Sequence, residues 1–472
     1  MRPGVEKLTK NAERQTLGRE LKKCWGKWDC LGANRLRPVI STVRGGAVEK
    51  SFRHMTLEER LTFLGHECDL SAEERDLLRG TRLSSDIAEN LIENAVGYFQ
   101  VPLGIATNFT IDGRDRLIPM AVEETSIIAA ASATAKWIRA TGSIKTQCRG
   151  NLIIGQVQLP RVQDAERVKA LLMAEIPRLI NAANALLPGL VARGYGVRQI
   201  LIRELARPES ATDKMLVLHL QCDSGDAMGA NLINQVCEGL KPLIEAITGE
   251  LVGLCILSNL NDGKLATAEV TIRDIDPKLG DGIEEATLFA QLDPYRAATH
   301  NKGVLNGIDP ILIATGNDWR AVEAGVHAYA CRSGNYQPVT TWKRVGRDLI
   351  GKIEIPMAIG TVGGVTRLHP SARVALKILG IEHADELARI CVAVGLVQNL
   401  AALRALSTVG IVRGHMELHA ANLALAAGSR PDEVLQVRIR LSRMLQEKKA
   451  IGVQVAQEIL REIRNQAAEL PA

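Results

Sequence analysis

Residues 293–303 read Asp-Pro-Tyr-Arg-Ala-Ala-Thr-His-Asn-Lys-Gly and put two fixed cations, Arg296 and Lys302, beside a histidine and an asparagine in a stretch with few apolar anchors. Shortly after, Thr315-Gly-Asn-Asp-Trp-Arg320 sets Asp318 among turn-forming residues. Cations and a carboxylate on glycine-bearing loops suit an anionic substrate. A solvated surface loop laced with ion pairs fits the same residue types equally well.

Three further constellations can carry chemistry. In Ala121-Val-Glu-Glu-Thr-Ser126 two acids lie between a strand and a helix. One acid complements the helix dipole, which leaves the other able to face a cleft as a proton donor. Asp226-Ala-Met-Gly-Ala-Asn231 precedes a helix. There Gly229 permits close approach of a ligand, and the helix N-terminus favours an anion such as a pyrophosphate. An ordinary helix start, capped by Asp226 and packed with small residues, matches the same pattern. Gly360-Thr-Val-Gly-Gly364 lacks the Gly-x-Gly-x-x-Gly spacing, so the Rossmann fingerprint is missing. Finally, Arg413-Gly-His-Met-Glu-Leu-His-Ala420 spaces His415 and His419 four apart, on one face if helical. A metal pair, a proton donor on a hinged tail and a surface pair all fit, although the acid is not placed as in His-Glu-x-x-His.

The elements that must hold these residues are legible. Thr56 and Ser71 each stand three residues before an acid, a capping-box pattern for two helices, and a third helix is expected from Ser84 to about Val96. Leu103–Ile111 and Arg116–Val122 read as strands around an Asp112-Gly113 turn, and Thr125-Ser126 as the cap of an Ala-rich helix to about Ala140. Strand 151–159, helix 164–187, strands 197–203 and 214–222, helix 228–248 and strand 251–257 follow, with a further strand at 265–272. That order predicts a ferredoxin-like α+β unit inserted in a larger domain. Helices and glycine-rich loops return after 280, and 431–466 reads as strongly helical beyond a hinge at Val409–Gly414.

With 472 residues, two or three domains are expected. Aromatics make up only 3%, so Ala, Val, Leu and Ile must build the core. Nine dispersed cysteines without a Cys-x-x-Cys pair predict reduced thiols rather than disulfides or zinc. No signal core is apparent, and the longest apolar run, Ile390–Val397, is too short to predict a membrane span. Residues 1–53 hold 13 Lys+Arg and 5 Asp+Glu, a balance of +8 in a chain of net +5, so the rest carries −3. A basic leader can bind nucleic acid or acidic lipid. A weakly structured extension, or a translation start set too far upstream, is the preferred reading. No nucleic-acid or membrane partner is expected.

Together, Glu93-Asn-Ala-Val-Gly97, Pro102–Asn108, Ala121–Glu124, Asp226–Asn231, Asp293–Lys302, Gly316–Arg320 and Arg413–Met416 closely resemble class II 3-hydroxy-3-methylglutaryl-CoA reductases, in the family's order across about residues 52–430. The resemblance implies an α+β protein with a large helix-rich substrate domain (52–147 and 258–410). It also implies an inserted ferredoxin-like, non-Rossmann nicotinamide domain (148–257) and a helical C-terminal flap (411–472), with 1–51 as an extension without counterpart. A cytoplasmic homodimer with interface active sites is implied, with Glu93–Gly97 as the dimer motif and Ala95 where Val is usual. The activity implied is interconversion of the thioester and mevalonate plus CoA, in the mevalonate route to isoprenoids. Glu124, Lys302, Asp318 and His415 take the catalytic roles, Glu124 rather than Glu123 and His415 rather than His419. Arg296, Ser126 and Asn306 match substrate contacts. Asp226, Met228, Gly229, Asn231 and Asn259 match the cofactor pocket. Thr125 stands where Pro is usual. Leu187 stands where NAD-selective members place an acid, with Arg193 nearby as a partner for a 2′-phosphate, which favours NADPH over NADH. No metal is implied. A metal-dependent hydrolase using His415 and His419, or an inactive CoA-binding relative, is the alternative.

Overall fold

The computed structural model describes residues 51–80, 83–408, 420, 422–447 and 450–468. Helices α1 (Leu57–Glu67) and α2 (Ala72–Leu78) both start with complete capping boxes, Thr56 with Glu59 and Ser71 with Glu74. Helix α3 (Ser85–Leu91) is shorter than expected. Ile92 turns extended, and Asn94 and Gly97 take positive φ, which no helix tolerates in its interior.

Strands β1 (Leu103–Ile111) and β2 (Arg114–Ala121) form an antiparallel hairpin. Its two-residue turn has φ of 51° at Asp112 and 79° at Gly113, the left-handed pair that matches strand twist. Helix α4 (Ile127–Thr141) follows directly. Its N-cap, Ser126, has φ 79° and makes no side-chain capping bond, so the expected Thr125-Ser126 cap is not what starts this helix.

The chain then enters β3 (Gly142–Arg149), β4 (Leu152–Val162), α5 (Ala165–Ala185), the short α6 (Pro188–Val191), β5 (Gly196–Arg207), β6 (Ser210–Asp223), α7 (Ala230–Thr248) and β7 (Cys255–Ser258). Strands β4 to β7 make one antiparallel sheet in the order β5-β6-β4-β7, which is the ferredoxin-like order. Helices α5 and α7 cover one face around Val157, Leu172, Leu179, Leu218 and Val236. Gly155 makes the close approach possible, because a Cβ there would meet Cys237 Sγ and Ile233 Cγ1, each at 2.5 Å.

The second sheet combines segments distant in sequence. Strand β8 (Leu265–Ile272) is followed by α8 (Pro277–Leu292), α9 (Pro294–Ala314), α10 (Trp319–Ala330), β9 (Thr340–Val345) and β10 (Asp348–Pro356), and the order is β3-β8-β10-β9. After α11 (Gly364–Leu368) and α12 (Pro370–Leu379), α13 (Ala384–Leu406) runs through the main core. By length and composition α13 could span a membrane, but 78% of its most apolar window is buried inside this protein. Helix α9 crosses α13 at two glycines. A Cβ on Gly307 would lie 2.8 Å from Val394 O, and one on Gly395 would lie 2.8 Å from Ile308 Cγ1.

The C-terminal part holds α14 (Val434–Gln446) and α15 (Val453–Ala468) in place of one continuous helix. They share a small core of Leu423, Val437, Leu441 and Leu460. Buried Glu433 accepts from Arg430 at 2.8 Å and Arg464 at 2.9 Å, which holds its carboxyl far below the usual range.

Candidate active site

The stretch 293–303 is not a loop. Asp293 caps α9 by accepting from Tyr295 N at 3.0 Å, and the helix runs to Ala314. Buried Ala297, His300, Asn301, Val304, Leu305, Ile308, Ile311 and Leu312 form one stripe at helical spacing. Its first half is partly polar, which hid the period. Asn301 anchors the helix by accepting from Val339 N and donating to Gln337 O, both at 2.9 Å.

Two elements meet at the centre. The β2–α4 link delivers Glu124, and α9 presents Lys302, whose Nζ lies 3.3 Å from Glu124 Oε2. Both side chains are open to solvent. An exposed pair of this kind is worth about 0–1 kcal/mol, too little for the fold to depend on it. What the pair offers is an ammonium and a carboxyl side by side in one place. Asn306 lies one turn beyond Lys302, half-buried, and Ser126 is half-buried at the start of α4.

Arg296 is half-buried near the start of α9. Among the described residues it has no carboxylate and no hydrogen-bond acceptor, and burial alone pulls its pKa down. A desolvated guanidinium left unpaired is a costly arrangement that an incoming carboxylate relieves.

Asp318 is engaged elsewhere. Its Oδ1 accepts from Ala321 N at 3.1 Å, capping α10, and from Arg320 Nε at 3.3 Å. The implied hydrogen bond to Lys302 is not made here, because the carboxylate turns back onto its own helix. The link that carries Asp318 is nevertheless fixed to a second candidate site. Asn317 Oδ1 accepts from Gly360 N at 2.8 Å, and Thr361 N donates to Asp226 O at 2.9 Å.

In the segment 226–231 the room that Gly229 leaves is taken by protein atoms, Ile153 and Ser224, rather than left open to a ligand. Gly229, with φ 95°, caps the 19-residue α7, whose first turn carries no acid. A Cβ at Gly229 would meet Ile153 Cδ1 at 2.4 Å, and one at Gly360 would meet Met228 N at 2.6 Å. Asp226 does cap a helix, but it is α13: Oδ1 accepts from Ala384 N at 2.8 Å, and Oδ2 lies 3.1 Å from His383 Nδ1. That contact raises the His383 pKa. Met228 is half-buried, whereas Asn231 and Asn259 are exposed. Leu187 faces the core of the smaller sheet at 6% exposure, and exposed Arg193 donates to Gly189 O at 3.1 Å. His415 and His419, with the 409–414 hinge, lie outside the described residues.

Sequence reasoning missed several groups here. A cavity of about 260 Å³ is lined by Lys264, Asp223, Asp226, His383 and Tyr195, and burial lowers the Lys264 pKa. No local pattern marks Lys264 or His383, since only the fold brings them to Asp226. Asn317 and His300 stood inside quoted motifs without a role.

A mixed helix-and-sheet protein in which Lys302 of a core helix meets Glu124 from the β2–α4 link, beside a ferredoxin-like sheet with no Rossmann fingerprint, is the class that this geometry defines. The family model for hydroxymethylglutaryl-coenzyme A reductase matches residues 56–420. The 3-hydroxy-3-methylglutaryl-coenzyme A reductase of Archaeoglobus fulgidus is 46% identical over 88% of this chain and 94% of its own. A probable enzyme of the same name from Borreliella burgdorferi is 33% identical over 79% and 85%. The class II reductase of Streptococcus pneumoniae, solved bound to NADPH in open conformations, superposes with a TM-score of 0.72 at 37% identity, covering 76% of this chain and 99% of that one. The chain belongs to the hydroxymethylglutaryl-coenzyme A reductase family.

Proposed function

We infer that this chain interconverts 3-hydroxy-3-methylglutaryl-CoA and mevalonate plus CoA through mevaldyl-CoA and mevaldehyde, as a nicotinamide-dependent oxidoreductase. Family membership carries the reaction. The observation that carries the site is Lys302 Nζ at 3.3 Å from Glu124, on a helix that also bears Arg296 and Asn306. The hydrolase alternative is not favoured by that membership.

Reduced nicotinamide supplies a hydride in each of the two steps. Lys302 faces the thioester carbonyl and offsets the negative charge that develops on its oxygen. Collapse of the hemithioacetal releases CoA as a thiolate, and His415 protonates it and prevents re-addition. Glu124 then gives a proton to the aldehyde oxygen. Asp318 swings from its cap to Lys302 and holds the ammonium beside Glu124. Arg296 binds the free carboxylate of the substrate, flanked by Ser126 and Asn306. Its half-buried guanidinium without an acid supports that role.

The dinucleotide rests on 226–231 in a cofactor domain of 148–257. The substrate domain is 52–147 with 258–410, and the flap is 411–472. NADPH is the preferred cofactor. Leu187 leaves no carboxylate to repel a 2′-phosphate, and Arg193 has donors beyond its bond to Gly189. The working unit is a homodimer. Val96 at 105% exposure and Phe99 at 96% give the Glu93–Gly97 region an uncovered apolar surface of the kind that subunit contacts bury. A cytoplasmic setting, drawn from the resemblance, is part of the same proposal.

The test is absorbance of reduced nicotinamide, with purified full-length chain, in both directions and with both cofactors. Thioester-dependent oxidation is expected. Thioester cleavage without nucleotide, abolished by EDTA, would instead establish the hydrolase.

A further inference from the structure

A buried polar chain ends one helical turn from Arg296. Asn399 Oδ1 accepts from Trp342 Nε1 at 2.8 Å and from Thr340 Oγ1 at 3.0 Å. An indole nitrogen only donates, so the Asn399 atom it meets is the oxygen. The single Thr340 proton is thereby committed to Asn399. Thr340 Oγ1 also contacts His300 Nε2, and there the hydroxyl oxygen is left to accept. The imidazole is therefore the Nε2–H tautomer, and its Nδ1 is a bare lone pair. His300 is 2% exposed, and Nδ1 is buried with no hydrogen-bond partner.

An orphaned buried acceptor calls for a donor. Arg296 lies four residues earlier on α9, on the same face, about 5–6 Å away between Cβ atoms in a regular helix. Its five N–H donors have no acceptor among the described residues. A carboxylate occupies two of those donors in the bidentate fork and leaves others for the protein.

We propose that His300 is a positioning residue: its Nδ1 accepts one Arg296 N–H and turns the guanidinium's free edge to the substrate carboxylate. The proposal rests on the reading of Arg296 given above. The imidazole can play this part beside a cation because it stays neutral. Burial, with the nearby Arg296 charge, pushes its pKa down to about 3. His300 Nδ1 and Arg296 are not bonded in this structure; once they are, the chain from Trp342 to His300 fixes the Arg296 fork from within the core and orders the long side chain around the substrate carboxylate.

The two ring nitrogens can be separated by substitution. His300→Gln keeps a donor at the ε position towards Thr340 and loses the δ acceptor. His300→Asn keeps an acceptor at the δ position and loses the ε donor. Steady-state kinetics are measured on the full-length enzyme for both, for Arg296→Ala, and for Arg296→Ala combined with His300→Gln. His300→Gln is expected to raise KM for the thioester about tenfold with kcat within threefold. His300→Asn should recover most of that loss, and the double variant should be no worse than Arg296→Ala alone. A wild-type KM in His300→Gln, or full additivity in the double variant, overturns the proposal. If His300→Gln is too unstable to assay, His300→Asn decides: a KM as high as that of Arg296→Ala overturns the proposal, and a lower one upholds it. An unchanged KM in Arg296→Ala itself would show that the carboxylate reading fails, which is a separate result.

Discussion

Lys302 and Arg296 share a helix but differ in what surrounds them, and that difference separates their roles. Lys302 is solvent-facing and pairs with an acid, Glu124, from another element. Arg296 is half-buried and has no acid partner among the described residues. Lys302→Ala is therefore expected to lower kcat at least about a thousandfold in both half-reactions, because it removes charge matched to the developing oxyanion. Assays with the thioester and with mevaldehyde check this, and near-normal turnover in either would remove Lys302 from the mechanism. Arg296→Ala should act mainly on KM. Asp318 allows a cleaner separation. Asn caps a helix about as well as Asp, so Asp318→Asn should leave thermal stability within about 0.5 kcal/mol while kcat falls. If stability and kcat fell together, Asp318 would be no more than the cap of α10.

At the scale of elements, α9 carries two titratable groups, buried His300 and half-buried Asp309, with opposite consequences. For His300 the folded pKa is about 3, below its ordinary value, so the unfolded chain takes up a proton that the folded chain refuses. Its contribution is present above about pH 6.5 and is lost as pH falls towards 3, at up to about 1.4 kcal/mol per pH unit. Asp309 is the reverse. Burial, with the neighbouring Glu323 charge, raises its pKa to about 8. Its contribution is full in acid and is lost as pH rises through 8. Between about pH 4 and 6.5 the two slopes oppose one another, so a fall in stability from pH 6.5 to 8 belongs to Asp309. Asp309→Asn should flatten that fall in thermal melts. An identical alkaline decline in the variant would mean that another group carries it.

At the scale of the molecule, the two candidate sites are joined by a short chain of contacts. Asn317 holds Gly360, an isolated parallel bridge joins Val362 to Ala227, and the adjacent Asp226 caps the core helix α13. A Cβ on Gly360 would strike backbone atoms of Asp226 and Met228, which cannot step aside as a side-chain tip can. Gly360→Ala should raise KM for the nicotinamide cofactor while changing KM for the thioester far less. Equal changes in both would place Gly360 in general stability instead. Assembly is tested at the 92–99 segment. Phe99→Asp is expected to shift the chain towards monomer in sedimentation and to lower activity with it, and an unchanged oligomer would exclude that surface from the subunit contact.

The sequence by itself determined most of the local structure. Capping boxes, the Asp112-Gly113 hairpin and the order of the smaller sheet follow from hydrogen-bonding and periodicity rules that act within a few residues. It also determined the family, because several long motifs lie in register. It did not reveal that 293–303 is helical, since the buried positions there include His300 and Asn301, whose polar side chains break the apolar period. Nor could it show which charges find partners. Glu124 reaches Lys302 across 178 positions, Asp226 caps a helix that begins 158 residues later, and Arg296 is left without an acid among the described residues. Pairing, burial and the direction of each pKa shift depend on the distances and the solvent exclusion that packing sets, and only the tertiary structure decided those.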